Sequence, residues 1–301
     1  MGILSQLLSV IPISLEQGFA YALVALGILV SFRILAFPDL TVDGSFALGG
    51  AVAARLIIAG YHPLVGIIMA IICGFLAGTA TGFLNTKLKI NSLLAGILVM
   101  TILYSVNLRV MGRANIPLLT VKTIFTPFEE MQISRYIPII IFFFLVTFAS
   151  KIILDLFFRT QIGMAMRATG DNEQMIITLG VNTDRITVLG LGISNALIAL
   201  SGALIAQDQG FSDAGMGIGM IVAGLASIII GEALIRKKSV GWLTFAAVTG
   251  SVVYRLFISI GLRLGLAPTD LKMATGLMVI IALGLPAIRK EKEGKLHLRG
   301  V

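Results

Sequence analysis

Polar side chains are scarce in this chain, and several of them cluster beside glycine. Pro38-Asp39-Leu40-Thr41-Val42-Asp43-Gly44-Ser45 sets two carboxylates around one hydroxyl and leads into Gly49-Gly50. Oxygens at this spacing can accept from the free N–H groups at a helix start. They can also line a polar path, because irregular backbone at membrane depth survives only where protein or a wet cavity covers it. Both readings stand for Asp39, Thr41, Asp43 and Gly44, which are candidate translocation-path residues. Pro38 stops the span before them or starts a turn. A loosely similar passage, Gln207-Asp208-Gln209-Gly210-Phe211-Ser212-Asp213, precedes Gly215, Gly217, Gly219 and Gly224. Two acidic, turn-rich stretches that each open a short glycine-rich span point to an internal repeat, as transporters often have.

Inside the apolar runs the polar residues are Asn107, Arg109, Ser194, Asn195, Ser201, Ser227, Glu232, Tyr254 and Arg255. Arg109, Glu232 and Arg255 lie near expected span ends, where snorkelling relieves a charge. Asn195 and Ser201 lie deeper; they either bond across helices or touch a solute. The sequence has no GxxxxGK[ST] loop, no H-E-x-x-H and no Cys/His cluster, so no catalysis, nucleotide site, metal or cofactor is expected of this chain. His62 and His297 lack the neighbours a metal needs. Cys73 is the one cysteine, reads as a small buried hydrophobe and cannot form an intrachain disulfide.

A second cluster runs from Arg159 to Arg185. It reads Arg159-Thr160-Gln161-Ile162-Gly163, then Arg167-Ala168-Thr169-Gly170-Asp171-Asn172, then Gly180-Val181-Asn182-Thr183-Asp184-Arg185. Helix-forming residues lie between two Gly/Asn turns, and long apolar stretches approach and leave. Such a segment is either an ordinary solvated loop or a docking surface for something in the water phase.

The elements that must position these clusters follow from composition. Hydrophobic residues make up 57% of the 301-residue chain, charged residues 13%, and the mean hydropathy is +1.00. Soluble domains carry about 25% charged residues, so the chain is expected to be an all-α polytopic transmembrane bundle. A bilayer core of ~30 Å needs about 20 apolar helical residues. Charges and Gly/Pro breaks then mark nine spans, within a range of eight to ten: 14–34, 43–60, 63–84, 91–110, 136–157, 186–207, 214–232, 240–261 and 270–288. The second and seventh are short or glycine-rich and could be re-entrant or broken. Gly74, Gly78 and Gly82 mark a face that another helix can approach closely.

Placing 159–185 and the C-terminus in the cytoplasm puts roughly a two-to-one excess of Lys and Arg inside. With nine spans, the N-terminus is then outside. The formal charge of +8 is accounted for by such loops and does not point to nucleic acid. Residues 111–135 form the longest expected outer connection, a plain loop or a partner surface. Residues 1–288 read as one transmembrane domain with 159–185 as its polar cytoplasmic segment, and 289–301 as a basic cytoplasmic tail drawn to anionic lipid. Residues 1–12 show no removable signal peptide.

The run Arg159-Thr160-x-x-Gly163 … Ala168-x-Gly170-Asp171-Asn172 … Gly180-Val181-Asn182-x-x-Arg185 resembles the cytoplasmic loop of ABC-importer permeases of the branched-chain amino acid and ribose type. Asp39-Leu40-Thr41-Val42-Asp43-Gly44-Ser45 is similar to the DLSVGS turn of the sugar members, with Asp43 added. Phe37-to-Phe46, Leu93-to-Met100, Met111-to-Leu118 and Gly231-Glu232-Ala233-Leu234 resemble a bacterial subfamily often paired with tryptophan/tyrosine-type binding proteins. The resemblance covers residues 14 to 287. It implies a permease subunit in the bacterial inner membrane that works as a homodimer with a separate ABC ATPase subunit and an extracytoplasmic solute-binding protein. It also implies that Arg159, Thr160, Gly163, Arg167, Gly170, Asp171, Asn172, Gly180, Asn182 and Arg185 couple to that ATPase, and that the solute is a small organic molecule, an amino acid above all. An ion-coupled secondary transporter and a non-transporting membrane adaptor are the competing readings. The first usually needs intramembrane acids, which the deep spans almost lack.

Overall fold

The computed structural model describes residues 10–129, 136–235, 237, 239–267, 270, 273 and 275–277. Its helices are α1 (Val10–Ile28), α2 (Thr41–Ile58), α3 (Pro63–Thr86), α4 (Ser92–Met111), α5 (Thr126–Glu129), α6 (Tyr136–Phe157), α7 (Gln161–Asp171), α8 (Glu173–Thr178), α9 (Thr183–Asp208), α10 (Met220–Leu234) and α11 (Val240–Arg263). Strands β1 (Asn115–Pro117) and β2 (Phe211–Asp213) form an antiparallel pair, Ile116 opposite Ser212.

Seven helices among the described residues are long and apolar enough to cross a bilayer; α10, with 15 residues, is shorter. These helices match the expected spans from 14–34 to 240–261. The last expected span, 270–288, and the tail 289–301 fall largely outside the described residues, so the count of nine is not established.

The bundle has an inner and an outer class of helix. In α2, 78% of the most apolar window is buried, against 28% in α4 and α6. Leu76, Ile102, Leu145 and Ile153 stand exposed on outer faces, as expected of side chains whose solvent is lipid. The inner helices approach closely because their contact faces are small. A methyl group on Gly74 would strike Asn195 and Ala199, one on Gly78 Leu191, and one on Gly82 Val188. The four-residue glycine spacing therefore marks the α3–α9 seam. Gly49 meets Ala199 and Gly202 meets Phe46 across α2–α9 in the same way.

Side-chain hydroxyls reinforce these seams. Ser194 donates to Gly27 O at 2.7 Å, Ser201 to Ala20 O at 2.8 Å and Ser251 to Gly18 O at 2.8 Å. Buried in an apolar medium, each hydroxyl satisfies itself on a neighbouring helix, since leaving it unpaired costs about 1–3 kcal/mol.

Candidate functional site

The two glycine-rich passages both sit at interruptions of the bundle. At the first, α1 continues as a π-helical turn over Leu29–Ile34. It ends with Leu35 N–H donating to Val30 O at 3.1 Å and Phe37 N–H to Ser31 O at 2.9 Å. Ala36 then takes a left-handed φ of 51°, uncommon for a residue with a side chain. The span thus ends before Pro38, at a widened turn of the type often found at functional sites.

Past this turn Asp39 gathers three elements. One carboxylate oxygen accepts from Thr41 N–H at 2.9 Å, and the other accepts from the Asn195 amide of α9 at 2.7 Å. The Thr41 hydroxyl lies 2.6 Å from that of Thr81 on α3. All four residues are buried. Asp39 thus holds the first N–H of α2 and ties the break to α9, and Thr41 carries the link on to α3. Gly44 packs against Leu103 and Met100 of α4, and its carbonyl accepts from Asn107 at 3.3 Å.

The second interruption lies between β2 and α10. The chain turns through Gly215, Gly217 and Gly219, the last with φ +92°, and α10 starts without a side-chain cap of its own. Asp43, in the first turn of α2, supplies it. Its two oxygens accept from Gly219 N–H at 2.8 Å and Ile221 N–H at 2.9 Å. The positive ends of two helices converge on one carboxylate, the charge such ends favour. The two passages singled out by composition therefore meet.

The sequence brought Asp39, Thr41, Asp43 and Asn195 forward, and the fold draws them to the two breaks. Ser201 lies apart, on the α1–α9 seam. Asp39, Thr41 and Asn195 turn their polar atoms to one another. Arg255 departs from the snorkelling expected of it. It sits about two turns inside α11, its guanidinium carbon 3.4 Å from the Tyr21 ring centroid. Glu232 is instead relieved by an ion pair with Arg33 at 2.8 Å.

The polar segment folds as helices linked by capped turns. Thr160 accepts from Gly163 N–H at 3.2 Å at the start of α7. Asn172 accepts from Met175 N–H at the start of α8, and Asn182 from Arg185 N–H at the start of α9, both at 3.1 Å. Gly180, at φ +81°, allows the chain to leave α8. Gly163 packs on the Phe157–Phe158 backbone, and Gly170 packs directly on the carbonyl of Ile34, the end of the π-helical turn. Met166 is buried against Gly190 and Leu35. The segment is thereby seated on the first break. Its other face carries Arg159, Arg167, Asp171 and Arg185, all exposed. Ile162, Met164, Met175, Ile177 and Leu179 are exposed beside them. Sequence reasoning missed this apolar face, although the types and positions were visible.

Known proteins resemble the chain over most of its length. Residues 11–283 match the family described as branched-chain amino acid transport system, permease component. A tyrosine transport system permease protein of Clostridioides difficile is 45% identical over 269 residues, 89% of this chain and 88% of the relative. An uncharacterized protein of Rickettsia prowazekii is 36% identical over 92% of this chain and 97% of its own. A ribose import permease of Haemophilus influenzae is 26% identical over 72% of this chain and 67% of its own. No solved structure matches. The chain belongs to the branched-chain amino acid transport permease family and is the multi-pass membrane permease component of an ABC importer for a small solute, with ATP hydrolysed on a separate subunit and the solute brought by a binding protein.

Proposed function

We propose that this permease imports an amino acid, that it works as a homodimer, and that α7 and α8 are the surface its ATPase engages from the cytoplasm. The observation that carries the docking reading is the two-faced build of 159–185. One face, through Gly163, Met166 and Gly170, is packed on the bundle. The other combines charges with five exposed apolar side chains, Ile162, Met164, Met175, Ile177 and Leu179. An apolar patch rimmed by polar groups is the usual mark of a protein–protein contact. The amino-acid reading rests on the 45% identical relative named as a tyrosine transport permease.

ATP-driven movement of the ATPase pushes α7. Gly170 on the Ile34 carbonyl passes the push to the π-helical turn, and the Asp39 network passes it to α2, α3 and α9. The binding protein docks on the opposite end, where β1 and β2 pair. The C-terminal tail lies in the cytoplasm near anionic lipid.

Cysteine chemistry on the assembled importer tests this. Met175→Cys and Leu179→Cys should cross-link to the ATPase, and Arg167→Cys should react with an impermeant thiol reagent only from the cytoplasmic side. Labelling from outside, or no cross-link in a complex active in uptake, overturns the docking reading.

A further inference from the structure

Arg255, half-buried beside the start of α10, presents one buried nitrogen that no described residue answers. Arg255 lies within the apolar span α11, and its Nε is buried without a hydrogen-bond partner among the described residues. It makes no ion pair among them either. A buried donor left without an acceptor costs about 1–3 kcal/mol. The guanidinium lies on the Tyr21 ring, 3.4 Å from its centroid, and Tyr21 is itself stacked on Phe46 of α2 at 6.0 Å. A guanidinium held this close to a ring is anchored by a cation–π contact, and its fork of N–H donors is the geometry that matches a carboxylate.

A cavity of about 290 Å³ lies against this arginine, lined also by Ile218, Met220, Val222, Tyr254 and Ile258. Apolar walls with few polar groups are typical of small-molecule sites, and this volume lies near the lower bound of their ~300–1,000 Å³ range. Gly219, at the start of the 15-residue α10, completes the wall. The N–H groups that open that helix are already held by Asp43, which leaves Arg255 as the group in this wall that can receive an anion.

We propose that this cavity is a subsite for a free amino acid with a bulky apolar or aromatic side chain. Arg255 binds the carboxylate, Tyr21 holds the guanidinium in place, and Met220, Val222 and Ile258 receive the side chain. The proposal deepens the amino-acid reading above and rests on it.

Photolabelling of the complete importer in phosphatidylcholine vesicles tests it, with p-azido-L-phenylalanine as the probe. The label should fall on Met220, Val222, Tyr254 or Ile258. Excess L-tyrosine should protect these positions, and tyramine, which lacks the carboxylate, should not. Ile258→Trp, which fills the cavity, and Arg255→Met should each lower L-tyrosine uptake about tenfold or more, with Arg255→Lys recovering part. Label confined to other helices, or wild-type uptake by the Ile258→Trp chain, overturns the site even if Arg255→Met fails to fold. Loss of labelling on adding phosphatidylglycerol assigns the arginine to a lipid phosphate and also overturns it. Failure of the wild-type importer to take up L-tyrosine, L-phenylalanine, L-tryptophan or L-leucine is a distinct result, because it removes the amino-acid reading itself.

Discussion

The two breaks in the bundle are held in different ways. At the first, between α1 and α2, the Asp39 carboxylate joins α2 to α9, the Thr41 hydroxyl extends the link to Thr81 on α3, and the polar segment is wedged against the same turn through Gly170. At the second, ahead of α10, Asp43 grips two backbone N–H groups and Asp213 accepts from Gly215 N–H at 2.8 Å. On the coupling route proposed above, the first break passes force and the second yields.

The largest effect should come from the first joint. Asp39→Ala leaves the Thr41 N–H and the Asn195 amide buried without an acceptor, at about 1–3 kcal/mol each. Thermal melting of the solubilised chain should fall by an amount matching several kcal/mol, and Asp39→Asn should restore part of it. Asp43→Ala should cost less, about 0.5–2 kcal/mol, the range for a lost helix cap. Equal losses in the two variants would erase the distinction between the joints.

Glu232→Gln removes the partner of Arg33, whose side chain is 54% exposed. It should change stability by only about 0–1 kcal/mol, and that change should shrink as salt is raised. A larger change in the same melting measurement would mean that the α1–α10 contact holds the second break closed.

Much of this design could be read locally. The spacing of Gly74, Gly78 and Gly82 announced a tight helix seam because small residues one turn apart have one steric consequence. Helix spans followed from runs of apolar residues, and the caps Thr160, Asn172 and Asn182 stood in the turns where such residues belong. The pairings that escaped notice join residues far apart along the chain. The cap of α10 lies 176 residues upstream at Asp43, and the partner of Asp39 lies 156 residues downstream at Asn195. Arg255 looked like a span-end charge because no local pattern shows that the Tyr21 ring lies under it. The first span ends at Ile34, as its expected bound of 34 had it, and what no local pattern showed is that its last turn is π-helical.

The central claim is that work enters through the seat of α7 on the first joint. The ratio of solute imported to ATP hydrolysed, measured in the reconstituted importer carrying Gly170→Leu, tests it most directly. The substituted side chain cannot sit on the Ile34 carbonyl, so hydrolysis should continue while the ratio falls about tenfold or more, a loss of coupling worth ~1.4 kcal/mol per factor of ten. An unchanged ratio, in a complex that assembles normally, would contradict the account.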